Sequence, residues 1–288
     1  MFLVSGPRLI IAAAKAGVAA AFPAPNARSI QDLHEWMTEI AGGLSAHDAP
    51  WALNIVAHHS YSRLKEELQL ILRHKPPLVI TALGSPRDVV EAVHSYGGLV
   101  FADVIAVSFA RKALQTGVDG LVLVCAGAGG HTGQLSPFAF VSAVRAFFDG
   151  PLVVGGAVCN GRAIRAIEVL GADLAYLGTP FIVAEESLAV GAYKQMVVDC
   201  SHEDLVLTSG VTGVMANWLK PSLQAAGLDL SVLDKGTKPD FSNPTVAFAR
   251  WKDTWSAGQG VDDVRRIEPA AAIVRRLLDE YMATAKTI

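Results

Sequence analysis

The sequence is short of the residues that mark several functional classes. Only three cysteines occur, Cys125, Cys159 and Cys200, and no two form a CxxC pair. That spacing supports neither a disulfide framework nor a zinc site, and a reducing cytoplasm is the simplest home for such a chain. Charged residues make up 18% and the net charge is −3, with no basic block. A nucleic-acid groove needs clustered Lys and Arg, so that class is set aside. No apolar run approaches the ~20 residues of a membrane helix. The short apolar start is broken by Gly6, Pro7 and Arg8 with no charged stretch ahead of it, which argues against a secretory leader. HExxH, the Walker glycine-lysine-serine loop and GxSxG are all absent, so the motifs of zinc proteases, P-loop enzymes and α/β-hydrolases are missing.

What is present is apolar. Hydrophobic residues make up 51% of 288 residues, enough buried surface to offset the entropy of ordering, so disorder is not expected. Abundant Ala, Gly and Val suit strands buried on both faces. Runs at residues 17–22, 51–57, 77–83, 99–103, 120–125, 151–155 and 173–178 read as strands. Helical patterns lie between them, at 29–42, 60–74, 86–95, 108–116, 137–148 and 162–170, with another from about residue 184. Strands alternating with helices imply a parallel sheet with right-handed crossovers. A (β/α)₈ barrel of ~250 residues fits the length. Two phrases recur where a helix gives way to a strand, Thr116-Gly117-Val118-Asp119 and Leu170-Gly171-Ala172-Asp173. Glycine there supplies a left-handed helix cap.

A helical pattern at residues 7–16 opens the chain with no full strand before it. Residues 1–4 are either a short strand end or the remnant of a barrel that lacks most of its first strand; the second is the expectation here. An open barrel wall exposes strand edges, and a homodimer is one arrangement that covers them. Residues 1–200 therefore read as the barrel and 201–260 as a helical insertion packed on one face, carrying Trp218, Trp251, Trp255, Pro221, Pro239 and Pro244. Residues 261–288 read as a C-terminal helix returning to the barrel, starting at Pro269 with Val274, Leu277, Leu278 and Tyr281 on one stripe. That helix could close the wall, meet a second subunit or simply face the core.

The richest constellation is Cys125-Ala126-Gly127-Ala128-Gly129-Gly130-His131-Thr132-Gly133, directly after a strand. In a barrel it sits on the face where active sites are built. Its glycines let backbone approach a planar ligand, and a histidine exchanges protons near neutrality; the plainer alternative is a flexible loop with an incidental histidine. Gly155-Gly156-Ala157 and Gly178-Thr179-Pro180 follow the last two strands and open helices, the customary barrel phosphate cradle. Asn54, inside a strand, needs hydrogen-bond partners from a ligand's ring edge or from protein. Asp103 ends another strand and either reaches the site or caps the next helix. His58 and His59 face the same rim, with a structural role equally open. Cys125 precedes the glycine run, so a loop-cysteine nucleophile in a flavin-free barrel is disfavoured.

At these residues the sequence resembles the nitronate monooxygenase family. The matching pieces are Ala128-Gly129-Gly130-His131-Thr132-Gly133, Gly155-Gly156-Ala157, Gly171-Ala172-Asp173 and Tyr176-Leu177-Gly178-Thr179, and residues 2–22 are similar to the family's first helix and second strand. The likeness covers about residues 1–220 and is shared in part with flavin-dependent enoyl reductases. It implies an FMN-binding barrel with an added helical domain. By resemblance, Gly155, Gly156, Gly178 and Thr179 would hold the FMN phosphate, Asn54 would bond the flavin ring, and Gly130 would pack near it. Met1 would be the methionine of a turn that touches FMN. Asp103 stands where some members carry a lysine, so the electrostatics facing the ring would differ. His131 would be the base that takes the α-proton of a neutral nitroalkane; anionic nitronates need none. The implied reaction is FMN-dependent oxidation of alkyl nitronates or nitroalkanes by O₂ to carbonyl compounds and nitrite. An NAD(P)H-dependent reductase of quinones or enoyl thioesters, and a flavin binder without turnover, remain open alternatives.

Overall fold

Each β-branched run becomes a strand, and glycine decides where it begins. The computed structural model describes residues 1–230 and 251–285. Seven parallel strands lie in the order β1-β2-β3-β4-β5-β7-β8. They are β1 (Ala20–Pro23), β2 (Trp51–Val56), β3 (Leu78–Ala82), β4 (Leu99–Val104), β5 (Gly120–Val124), β7 (Leu152–Gly155) and β8 (Leu174–Tyr176). Helices α1 (Pro7–Lys15), α2 (Ile30–Gly43), α3 (Leu64–His74), α4 (Arg87–His94), α5 (Val107–Leu114), α6 (Pro137–Arg145) and α7 (Gly161–Val169) alternate with them. The first strand starts later than its sequence suggests because Gly17, at φ +95°, belongs to the cap of α1.

The recurring Gly-x-Asp phrase has two jobs. Gly117 (φ +87°) and Gly171 (φ +104°) take the left-handed conformation that ends α5 and α7. The aspartate two residues on stitches neighbouring strands. Val100 N–H of β4 donates to Asp119 Oδ2 at 2.7 Å, and Leu152 N–H of β7 donates to Asp173 Oδ2 at 2.7 Å. Each carboxylate thereby satisfies a backbone donor at the start of the strand beside it.

Alternation along the strands makes two cores. Outward residues such as Phe22, Leu53, Ile55, Leu121 and Leu123 join Leu33, Met37, Ile71 and Phe140 of the helices. Inward residues Ala52, Ile80, Phe101, Val122 and Val153 form a separate apolar layer inside the barrel. That layer is the floor on which the site rests.

Strands β8 and β1 do not pair. Residues 1–4 make a turn rather than a strand end. The interval in the wall is lined by a third cluster, in which Leu9 of α1 meets Ile273 and Leu277, with Ile164 and Leu177 packed against it. Ile273 and Leu277 belong to the last helix, Ala270–Ala285, which is α11 after the short α8 (Thr179–Ile182), α9 (Gly191–Asp199) and α10 (Lys220–Ala225). This helix packs on α7 and α1, with Ile273 and Leu277 buried in that cluster. No described helix is long and apolar enough to cross a membrane.

The expected helical insertion is corrected in part. β9 (Leu205–Thr208) and β10 (Ala216–Leu219) form an antiparallel sheet with the two-residue β6 (Gly130–His131) in the order β6-β10-β9. Strands this short are hard to tell from other apolar runs by periodicity. Nor does a helix run on from residue 184: α8 stops at Ile182 and α9 starts at Gly191. Pro239 and Pro244, with the rest of 231–250 and residues 286–288, lie outside the described residues.

The seat of α11 is testable at one glycine. A methyl on Gly161 would lie 2.2 Å from Tyr281 N and 2.4 Å from Leu277 O, backbone atoms that cannot rotate away. Gly161→Ala should cost about 1–3 kcal/mol in denaturant unfolding. Gly42→Ala, inside α2 with nothing within 4 Å of the new methyl, should instead gain up to about 1 kcal/mol. An unchanged midpoint for Gly161→Ala would show that α11 does not sit on α7.

Candidate active site

The top inward layer of the barrel is polar where the layer beneath is not. Asn54 on β2 and Asp103 on β4 reach past β3, and Asn54 Nδ2 donates to Asp103 Oδ2 at 3.1 Å. The expected alternative for Asp103, capping α5, is not seen: the cap position is Ala106, with no side-chain hydrogen bond. Oδ1 of Asp103 is buried and has no partner among the described residues. Burial pushes this carboxyl up to about 7, opposed in part by the Asn54 amide. Tyr176 on β8 also faces the carboxyl, and burial raises its phenol further.

His131 is fixed from both sides of its loop. Gly127 (φ +88°) and Gly130 (φ +69°) turn the chain after β5. Gly130 and His131 then pair with Asn217 and Ala216 of β10. Asn217 Nδ2 donates to Ala128 O at 2.7 Å, and the Thr132 hydroxyl donates to Cys125 O at 3.0 Å. Trp251 stands edge-on to the imidazole with ring centres 5.6 Å apart, backed by Trp218 at 4.2 Å and Phe2 at 5.9 Å. His131 Nε2 is buried with no partner among the described residues. Loss of solvation lowers the imidazole to about 4, so it is neutral at physiological pH.

The two glycine turns flank this pair. Gly156 (φ +136°) and Ala157 (φ +57°) carry the chain off β7 in left-handed geometry, a strain that tends to gather at functional sites. Gly178 opens the single turn of α8, and a methyl there would meet Met1 Cγ at 3.5 Å. The N-terminus of α7 is already taken: Ala163 N–H donates to Asn160 Oδ1 at 2.8 Å and Gly161 N–H to Glu280 Oε2 at 2.8 Å. Any anion site here must therefore come from the Gly155-Gly156 and Gly178-Thr179 turns rather than from the start of α7.

Sequence reasoning misses one wall of the site. Residues 256–260 lie against the glycine loop, with Gly258 N–H donating to Thr179 Oγ1 at 2.9 Å and Gln259 N–H to Gly127 O at 2.9 Å. A methyl on Gly129 would sit 2.6 Å from Gly258 N, so glycine is needed for the close approach. Gly258-Gln259-Gly260 is the available signal, but alone it reads as an ordinary turn.

Met1, Asn54, Asp103, Gly130, His131, Gly155, Gly156, Gly178 and Thr179 all line one cavity of ≈ 2100 Å³. It runs from the strand ends down the interval between β8 and β1, past Leu9, Ile164 and Leu277. It exceeds the ~300–1,000 Å³ of a single small-ligand pocket. His58 and His59 are not among its lining residues; they pack on each other at 4.3 Å, and His58 contacts Ser60. Cys125 is buried, its thiol pushed up to about 12 by desolvation, which does not suit a nucleophile.

Trp251→Ala should open the imidazole to water and raise it from about 4 toward the ordinary 6.5, read by NMR titration of the ring. The parent chain loses stability as pH falls from 6.5 toward 4, because the folded state disfavours the imidazolium; the variant should lose less over that window. A ring that still titrates near 4 would place the desolvation elsewhere.

Comparison with known proteins bears on the family and the fold. The family model described as nitronate monooxygenase matches residues 9–280. A nitronate monooxygenase of Pseudomonas aeruginosa is 30% identical over 234 residues, covering 74% of this chain and 66% of that protein. The chain spans about three fifths to two thirds of the length of the curated relatives it matches first. A solved nitroalkane oxidase of Streptomyces ansochromogenes superposes with TM-score 0.84 at 23% identity, covering 99% of this chain and 94% of that one. FabK from Thermotoga maritima superposes with TM-score 0.81 at 22% identity, covering 100% and 92%. These likenesses show the TIM-barrel fold. With the family model matching nearly its whole length, the chain belongs to the nitronate monooxygenase family.

Proposed function

We propose that the chain is an FMN-dependent monooxygenase that oxidises alkyl nitronates and nitroalkanes with O₂ to carbonyl compounds and nitrite. The observation that carries this reading is the unsatisfied, buried Nε2 of His131 in the same cavity as the two glycine turns. Family membership supports flavin oxidoreductase chemistry.

The residues present fit the cofactor. Gly155, Gly156, Gly178 and Thr179 expose backbone to the cavity and would hold the phosphate. Asn54 and Asp103 offer polar atoms to the ring edge, and the orphaned Asp103 Oδ1 is the kind of atom a ligand satisfies. Met1 and Gly130 would pack beside it. When bound, FMN supplies the electron transfer between the carbon acid's anion and O₂.

The chain's own contribution is proton handling in a dry site. His131 is neutral and therefore available as a base. It takes the α-proton of a neutral nitroalkane onto Nε2, and the nitronate formed beside it stabilises the imidazolium by charge pairing. The β6–β10 pairing keeps the ring from swinging away. Trp251 and Trp218 exclude water from one side.

His131→Asn tests the role. It should keep bound FMN and lose about 10²- to 10⁴-fold in turnover of neutral nitroalkanes, with nitronate turnover little changed. Equal losses on both substrates would remove His131 from the role of base. Rapid NAD(P)H oxidation by the parent chain, without nitronate-dependent O₂ uptake, would favour the reductase alternative.

A further inference from the structure

Asp103 is a carboxyl with too few partners to be comfortable as an anion. One oxygen accepts from the Asn54 amide at 3.1 Å, and the other is buried with no partner among the described residues. Beneath it lie Ile80, Phe101 and Val122. Among the described residues, no ion pair links it to a Lys or Arg side chain. The titratable groups facing it are the phenol of Tyr176 across the barrel and the amino group of Met1. A lone carboxylate with one amide donor is costly in such surroundings, whereas the protonated acid becomes a donor of its own.

We propose that Asp103 meets its ligand as a neutral carboxylic acid, with Asn54 holding Oδ2 and the proton on Oδ1 donated to a carbonyl oxygen on the edge of the flavin ring. The proposal rests on the flavin reading above. Asn54 uses its amide hydrogen on Asp103 and leaves its own Oδ1 as an acceptor. The pair thus offers an acceptor beside a donor, the complement of an imide edge with its N–H and C=O. Burial keeps the proton on Asp103 to near neutral pH. Binding of the ring is then coupled to pH: the acid form binds, and ionisation removes the donor and sets a negative charge against the carbonyl.

Equilibrium titration of the flavin-stripped full chain tests this, read by flavin and tryptophan fluorescence. Riboflavin and FMN are both used, because the FMN phosphate ionises near pH ~6 and would add its own step. For the parent chain, riboflavin affinity should fall as pH rises across neutrality, by up to about tenfold per unit above the carboxyl's ionisation. Asp103→Asn keeps a donor without an ionisation. It should bind as the parent does at low pH and show no step. Asp103→Ala should bind about 2- to 12-fold more weakly than the low-pH parent, again without a step. A carboxylic-acid carbonyl band in the flavin-bound parent, absent in Asp103→Asn, gives a second readout by difference infrared spectroscopy.

An affinity that is flat with pH in the parent, or rises with it, overturns the proposal while leaving the flavin reading intact. So does a step that persists in Asp103→Asn, which would assign it to another group such as the Met1 amino group. Failure of both flavins to bind at any pH overturns the flavin reading and the proposal together.

Discussion

Two residue pairs of antiparallel backbone decide whether this barrel has a site. Gly130 and His131 leave the wall after β5 and are caught by Asn217 and Ala216 of β10, a strand that follows the last barrel strand in sequence. A glycine-rich loop would otherwise sample many conformations, since glycine constrains its backbone least. Pairing with β10, and the Asn217 amide on Ala128, remove that freedom. The imidazole is then presented to the cavity, desolvated on the side held by Trp251 and Trp218. An imidazole that is neutral, fixed and dry is the product of that pairing.

The rest of the site follows from strand alternation. An apolar layer of Ile80, Phe101, Val122 and Val153 fills the barrel below, and polar atoms appear only one layer up, at Asn54 and Asp103. Glycine turns after β7 and β8 leave room above the strand ends. The segment at Gly258 then binds the glycine loop to Thr179, so three stretches distant in sequence share one wall. Across the barrel, where β8 and β1 do not pair, α11 packs so tightly on α7 that Gly161 admits no side chain. Stability of the wall and shape of the cavity are thereby linked through the same helix.

How much of this is legible in the sequence depends on range. The seven strands are visible because β-branched runs and left-handed glycines are local signals, and Gly117 and Gly171 end their helices as read. The glycine clusters after strands are visible, and the nine residues named from the sequence, Met1, Asn54 and Asp103 among them, line one cavity. Long-range partners are not visible. Nothing local says that Asn54 and Asp103, two strands apart, join side chains, or that Asp119 and Asp173 serve the neighbouring strand. β9 and β10 are each four residues long, too short for a period-two pattern to stand out, and they exist because β6 gives them an edge to pair with. Likewise, α7 opens with the residues of an anion site, and only the fold reveals that Glu280 already occupies its start.

The central claim is that the glycine turns and the imidazole jointly seat a phosphorylated flavin. The most direct measurement is the absorption spectrum of the purified protein, with chemical identification of the molecule released on denaturation. The account predicts a flavin spectrum and FMN, one per chain. A colourless protein that takes up no added FMN would contradict it.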